Sequence, residues 1–238
     1  MSDICEKTSV KYMRKDKLVS DNIYHVYNRG VEKRSLFADN YDYTRFINGL
    51  IIFNDTKPVV NPKQRVKDIK SGNHKRKQMV DVLAFCLMPN HYHLLLRQRV
   101  NGGITEFMRK LGGGYVNYFN LKHQRVGTLF QGKFKSVLID DESQFTYIPF
   151  YIHLNPLDMH CSDWRDKGVG DSKKAINFLD NYKWSSHSDY IGQSDFSLIL
   201  QKDFLSENFG EAPEYMKAFC DFINDFDFSN IDNNLILE

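Results

Sequence analysis

Hydrophobic and polar positions follow two periods along the chain. "NIYHVYNRG", Asn22 to Gly30, sets Ile23, His25 and Tyr27 against Tyr24 and Val26. Alternation of this kind in β-forming residues, closed by a glycine, predicts a strand. "DNYDYTRFINGLIIFN" switches to helical spacing, with Tyr43, Phe46, Ile47, Leu50 and Ile51 on one side and Asp39 or Asn40 as cap. Val80–Met88 and Leu94–Arg97 are short apolar runs around "PNHYH", and their length and the Pro-Asn break predict a two-stranded hairpin. Ile104, Phe107, Met108, Leu111, Tyr115, Tyr118 and Phe119 share one face of an amphipathic helix. Gly112–Gly114 interrupt it at about 1 kcal/mol each relative to alanine, so either another backbone or side chain comes close there or the helix breaks.

"GTLFQGKFKSVLID" reads as a strand entered through a turn, and "DESQFTYIPFYIHLNPL" as a helix capped near Asp141 or Ser143. Lys167–Asn181 is polar and reads as loop, "WSSHSDYIG" as a short ordered stretch, and Phe204 onward as helices. The resulting order predicts an α+β fold, an antiparallel sheet with helices packed on one face. Residues 1–192 form the main domain in this reading, and 193–238 an acidic C-terminal helical appendage.

Charge divides the chain the same way. From Gln201 onward nine acidic residues face two basic ones, net −7, so residues 1–200 carry +9 of the overall +2. A basic body suits an anionic partner such as nucleic acid. Between Thr56 and Gln78 eight Lys or Arg accompany the single Asp68, which reads as a flexible basic loop. The four cysteines, Cys5, Cys86, Cys161 and Cys220, have no paired spacing, which fits a reducing compartment. The polar start "MSDICEKTSVKYMRKDK" is no signal peptide, and no apolar run approaches the roughly 18 residues of a membrane span. A cytoplasmic protein with no membrane partner is expected.

On a strand His91 and His93 project from one face while Tyr92 points away. Two neutral imidazoles supply two ligands of a metal site. In "FYIHLNP" Tyr151 and Asn155 lie one helical turn apart and share a side of their helix. A phenol and an amide oxygen set against the histidines would let a metal polarise a phosphodiester while the tyrosine oxygen attacks phosphorus. A half-buried core tyrosine and a helix C-cap ahead of Pro156 are the plain alternatives.

Six stretches in order, "YHVYNRG", "LFADNYDYTRFI", "FCLMPNHYHLLL", "YVNYFNLKHQRVGTLFQGKFKS", "YIHLNP" and "WSSHSDY", resemble the single-tyrosine transposases of the HUH nuclease superfamily. The REP-associated tyrosine transposases are the most similar of these. The resemblance implies a ferredoxin-like catalytic domain that cuts and rejoins single-stranded DNA with hairpin ends. It implies Tyr151 as nucleophile, leaving a 5′-phosphotyrosine and a free 3′-hydroxyl. It implies His91, His93 and Asn155 as ligands of a divalent ion, Mg²⁺ or Mn²⁺, and a monomer or homodimer.

Lys133 and Lys135 are good phosphate contacts on the strand after the long helix, with Arg29, Lys122 and Arg125 as further DNA-binding candidates. The chain departs from the family pattern at Pro149, two residues before Tyr151, at Gly112–Gly114, and at "LDMHCSDW" after Pro156. Pro149 predicts a kinked or late-starting helix and makes Tyr147 a rival nucleophile. A domesticated hairpin-binding protein, or a phosphodiesterase that uses water, would retain part of the same residue set.

Overall fold

The structure, a computed structural model, describes residues 18–161, 163–193 and 196–225. The polar N-terminus with Cys5, and residues 226–238 of the acidic stretch, lie outside the described residues.

The chain runs β1 (Ile23–Arg29), α1 (Asn40–Phe53), α2 (Pro62–Lys70), β2 (Val80–Met88), β3 (His91–Gln98), α3 (Gly103–Lys122), β4 (Lys135–Ile139) and α4 (Glu142–Leu154). Four short or medium helices follow: α5 (Trp164–Lys167), α6 (Ser172–Asp180), α7 (His187–Tyr190) and α8 (Lys202–Phe209). The last is α9 (Ala212–Asp225). The sheet order is β2-β3-β1-β4 and every pairing is antiparallel. With β1-α1-β2-β3-α3-β4 connectivity this is the ferredoxin-like arrangement.

Cross-strand register sorts the side chains. Tyr27 pairs with His93, and His25 with Leu95 and Val137, so His25, Tyr27, His91 and His93 share one face. Tyr92 lies on the other, where Phe46 of α1 reaches it at 5.1 Å between ring centroids and Tyr115 of α3 packs on Phe46 at the same separation. The histidine face receives Tyr151 of α4. Both faces are therefore covered, whereas the hydrophobic pattern alone places the helices on one. A continuous apolar run such as β2, buried at every position, is what two covered faces require.

The outer edge of β2 is closed by isolated bridges from Cys86 to Ser185 and from Val82 to Leu200. Beyond them the C-terminal helices dock on α4, with Phe150 ringed by Phe209, Tyr215, Phe219 and Phe222 at 4.9–5.7 Å.

Two segments read as loop are helical. In the basic stretch Asn61 caps α2 by accepting from the Gln64 amide, and Pro62 takes the first turn, where its missing N–H is no loss. In Lys167–Asn181, Asp171 caps α6 while Ala175 and Leu179, four apart, supply a buried stripe. The helix α4 runs through Pro149 from its Asp141 cap, so it does not start late.

The helix α3 is likewise continuous through its glycines, and the reason lies in one of them. A Cβ on Gly114 would stand 2.6 Å from Cε2 of the buried Phe53, whereas one on Gly113 meets nothing within 4 Å. The same substitution is expected to have opposite signs one residue apart. Gly114→Ala should destabilise by about 1–3 kcal/mol through overpacking, and Gly113→Ala should stabilise by up to about 1 kcal/mol through helix propensity. Thermal unfolding of the two variants checks this, and a stabilised Gly114→Ala would remove the packing explanation.

Candidate active site

Tyr151 is brought to the histidines by the crossing of α4 over the sheet. Its ring lies edge-on to His93 and to His25, 6.3 Å from each centroid, and is wholly buried. Its hydroxyl makes no hydrogen bond of ordinary geometry, and its polar neighbour is Arg165. Burial raises the phenol above its ordinary range, and the positive charge of Arg165 opposes that rise. Tyr147, one turn earlier, is half-buried.

His93 is fully buried, with its Nδ1 2.8 Å from His25 Nε2 and the two rings stacked at 5.0 Å. One of those nitrogens carries the proton between them. The opposite nitrogen, His93 Nε2, is buried and without a partner. An imidazole that donates through one nitrogen and keeps a lone pair on the other is set up as a metal ligand. His91 lies 5.1 Å from His93, edge to face, at the rim, with Nδ1 2.6 Å from Asn90 Oδ1. Burial lowers the His25 pKa to about 3 and that of His91 to about 4, and drives His93 well below its ordinary value, with His25 and His91 adding to the effect. All three are neutral at physiological pH, the form that binds metals.

Asn155 ends α4 and is buried there. Its Nδ2 donates 2.8 Å to the Tyr151 carbonyl, and its Oδ1 accepts from Arg165 Nη2 at 3.0 Å. The carboxamide is thus a helix cap, with one oxygen lone pair still free. Among the described residues no group of three His, Cys, Asp or Glu side chains is placed to hold a metal. A third protein ligand beside His91 and His93 would have to be of another type, as Asn155 is.

Arg165, on α5, was not indicated by any spacing in the sequence. It is ion-paired to Asp158, stacks on Trp164 at 4.4 Å, and stands 5.7 Å from the Tyr151 ring centroid. Asp158 also accepts from Trp164 Nε1 at 2.7 Å. Asp158 and Trp164 belong to the stretch "LDMHCSDW", and Arg165 follows it directly.

Two clefts meet at Arg29. One, about 440 Å³, lies over His91 and is bounded by Arg29, Lys33, Asn90 and Asp158. The other, about 190 Å³, is lined by Tyr27, Arg29, Gln131, Lys133 and Lys135. Arg29, Lys133 and Lys135 are thereby brought together beside the histidines. Lys122 is placed elsewhere, its Nζ bound by Asp39 and Asp42 at 2.7–2.8 Å. Arg125 braces the turn after α3 through Asn120 Oδ1. Among the described residues no helix is long and apolar enough to cross a membrane.

Residues 52–155 match the family described as transposase IS200 like. That stretch runs from the end of α1 to Asn155 and includes His91, His93 and Tyr151. Among solved structures, the chain is similar to a REP-associated tyrosine transposase bound to a REP hairpin. The two share 12% identity at a TM-score of 0.51, over 79% of this chain and 96% of that one. No curated protein matches. The family match supports a transposase-type function, and at this identity the structural likeness is one of fold. In sequence pattern and fold together, the chain resembles the HUH single-tyrosine transposases, the REP-associated ones among them.

Proposed function

Taking that resemblance as premise, we propose that the chain is a transposase-type endonuclease that cleaves and rejoins single-stranded DNA with hairpin ends through Tyr151. The observation that carries the reading is the edge-on contact of Tyr151 with the histidines of its own chain, beside an unpartnered His93 Nε2. The contact lies within one chain, which suits a site assembled from a single copy.

In the proposed step the Tyr151 oxygen forms a bond to phosphorus while the bond from phosphorus to the 3′ oxygen breaks. The phenol proton leaves to solvent, and the 3′ oxygen departs as a hydroxyl after taking up a proton. The phosphotyrosine keeps the ester energy, so attack by another 3′-hydroxyl reverses the step and joins strands.

His91 and His93, with the Asn155 oxygen, would hold a divalent ion, Mg²⁺ or Mn²⁺, which when bound polarises the phosphodiester and offsets its charge. With His93 Nδ1 donating to His25 Nε2, His25 would fix which nitrogen of His93 faces the ion. Arg29, Lys133 and Lys135 line the approach and neutralise the backbone of the incoming strand. Trp164 and Arg165 lie against Tyr151, so the phosphate enters by the His91 cleft or displaces α5.

Labelled hairpin-bearing single-stranded DNA incubated with the protein and Mn²⁺ should give a protein–DNA adduct that survives denaturant. A chelator should abolish the adduct, and Tyr147→Phe should retain it. Cleavage without an adduct would assign the chemistry to water, and binding alone would make the chain a domesticated hairpin binder.

A further inference from the structure

The segment between α1 and β2 divides its basic residues by role. Arg65 donates to Asp55 Oδ2 at 3.0 Å and to the Pro58 carbonyl at 2.9 Å. His74 Nε2 lies 2.6 Å from the same carboxylate. Arg76 donates to the Ile51 and Leu198 carbonyls at 3.0 and 2.6 Å. Burial acts to raise the Asp55 carboxyl, but His74 and the Lys57 and Lys77 amides outweigh it and hold the group below the usual carboxylate range. These inward contacts fasten the segment to the domain.

The lysines do the reverse. Lys57, Lys63, Lys67, Lys70, Lys75 and Lys77 are all exposed, and none forms an ion pair among the described residues. Lys63, Lys67 and Lys70 follow i, i+4, i+7 spacing and form one row along α2. The single acid on that helix, Asp68, is taken by Gln64 Nε2 at 2.7 Å. A folded helix that presents three unneutralised lysines in a row, within a Thr56–Gln78 stretch of eight basic residues and one acidic, is a fixed cationic surface rather than a solvated linker.

We propose that this face binds the phosphate backbone of the substrate's hairpin stem, away from the site of cleavage. The proposal rests on the DNA-cleaving reading above. The segment enters β2 at Val80, whereas the histidines sit at the other end of the hairpin, beyond Met88. Eight strand steps of about 3.4 Å separate the two ends by roughly 27 Å. Duplex DNA rises about 3.4 Å per base pair, so a stem of roughly eight pairs spans the same distance. Strand cutting at the His91 cleft and backbone holding at α2 thus suit two parts of one molecule, a single-stranded foot and a double-stranded stem.

The test uses the full chain with Lys63→Gln, Lys67→Gln and Lys70→Gln combined, on hairpins with stems of about 4 and about 16 base pairs. For the long stem the slope of log affinity against log salt should become shallower by about 3, with binding about tenfold weaker at 0.1 M salt. The short stem should bind as it does to the parent protein. Adduct yield at saturating DNA should not change, and this reports the cleavage reading separately. An unchanged slope on the long stem, with thermal unfolding showing the variant folded, would overturn the proposal for α2. An unchanged slope from Lys57→Gln, Lys75→Gln and Lys77→Gln combined would then overturn it for the whole face.

Discussion

Tyr151→Phe should bind hairpin DNA as the parent chain does and give no covalent adduct. Deleting a covalent nucleophile has cost roughly 10⁶-fold in rate elsewhere, which here means loss below detection. The same substitution should not harm the fold. The Tyr151 hydroxyl is buried with Arg165 as its polar neighbour, so removing it costs no more than that contact, about 1 kcal/mol. The ring contacts with His25, His93 and Trp164 stay in place. Tyr151→Phe is therefore expected to unfold within a few degrees of the parent, at about 2–4 °C per kcal/mol in a chain of this size. A plain core tyrosine would not show the catalytic loss. An adduct persisting in Tyr151→Phe would sink the nucleophile assignment, and a large drop in melting temperature would show that the hydroxyl carries the fold.

The second large effect is acid lability. His25, His93 and His153 are wholly buried, and burial lowers all three, His25 to about 3. In the unfolded chain each titrates near its ordinary value of about 6.5. Below that pH the unfolded state takes up protons that the folded state refuses, so stability is present above about 6.5 and is lost as pH falls. The loss stops only where the folded sites themselves protonate, near pH 3 for His25. At pH 5 His25 alone withdraws about 2 kcal/mol, and His93 and His153 act in the same direction. Against the roughly 5–15 kcal/mol that hold an ordinary domain together, that is a large effect. Chemical denaturation at pH 7.5 and pH 5 measures it, and equal stabilities at the two pH values would refute the neutral, buried assignment. His153→Gln, which removes one of the three outside the Tyr151 contact, should flatten the pH dependence.

The parts of this molecule that sequence reveals are those governed by local period. The alternation of β1, the Asp39 and Asp141 caps and the apolar stripe of α3 all lie within a few residues of what they specify. That His91 and His93 share a face is legible for the same reason, being two apart on a strand, and so is the turn between Tyr151 and Asn155, four apart along α4. His25 illustrates what is not legible. It alternates with Tyr27 in plain view, but its contact with His93 depends on a register set 68 residues away. Arg165 is harder still, since α5 is a single short turn with no period to read. The helices α2 and α6 escape detection because polar residues dominate them, although Asn61-Pro62 and Asp171 are available as caps. Lys122 and Arg125 have the composition of phosphate contacts, yet nearby acceptors claim them first.

The two edges of the sheet have different fates. Ser185 and Leu200 close the β2 side, which leaves β4 as the edge strand, with no partner on its outer side among the described residues. An open edge invites another copy of the chain to extend the sheet. Here that edge begins with the exposed Lys135, two residues after the exposed Lys133, and lysines on an edge strand oppose its pairing with another chain. The lysines proposed to meet DNA would thus also oppose stacking of the protein on itself. Neutralising them, by substitution or by high salt, would trade solubility for self-association along the same edge.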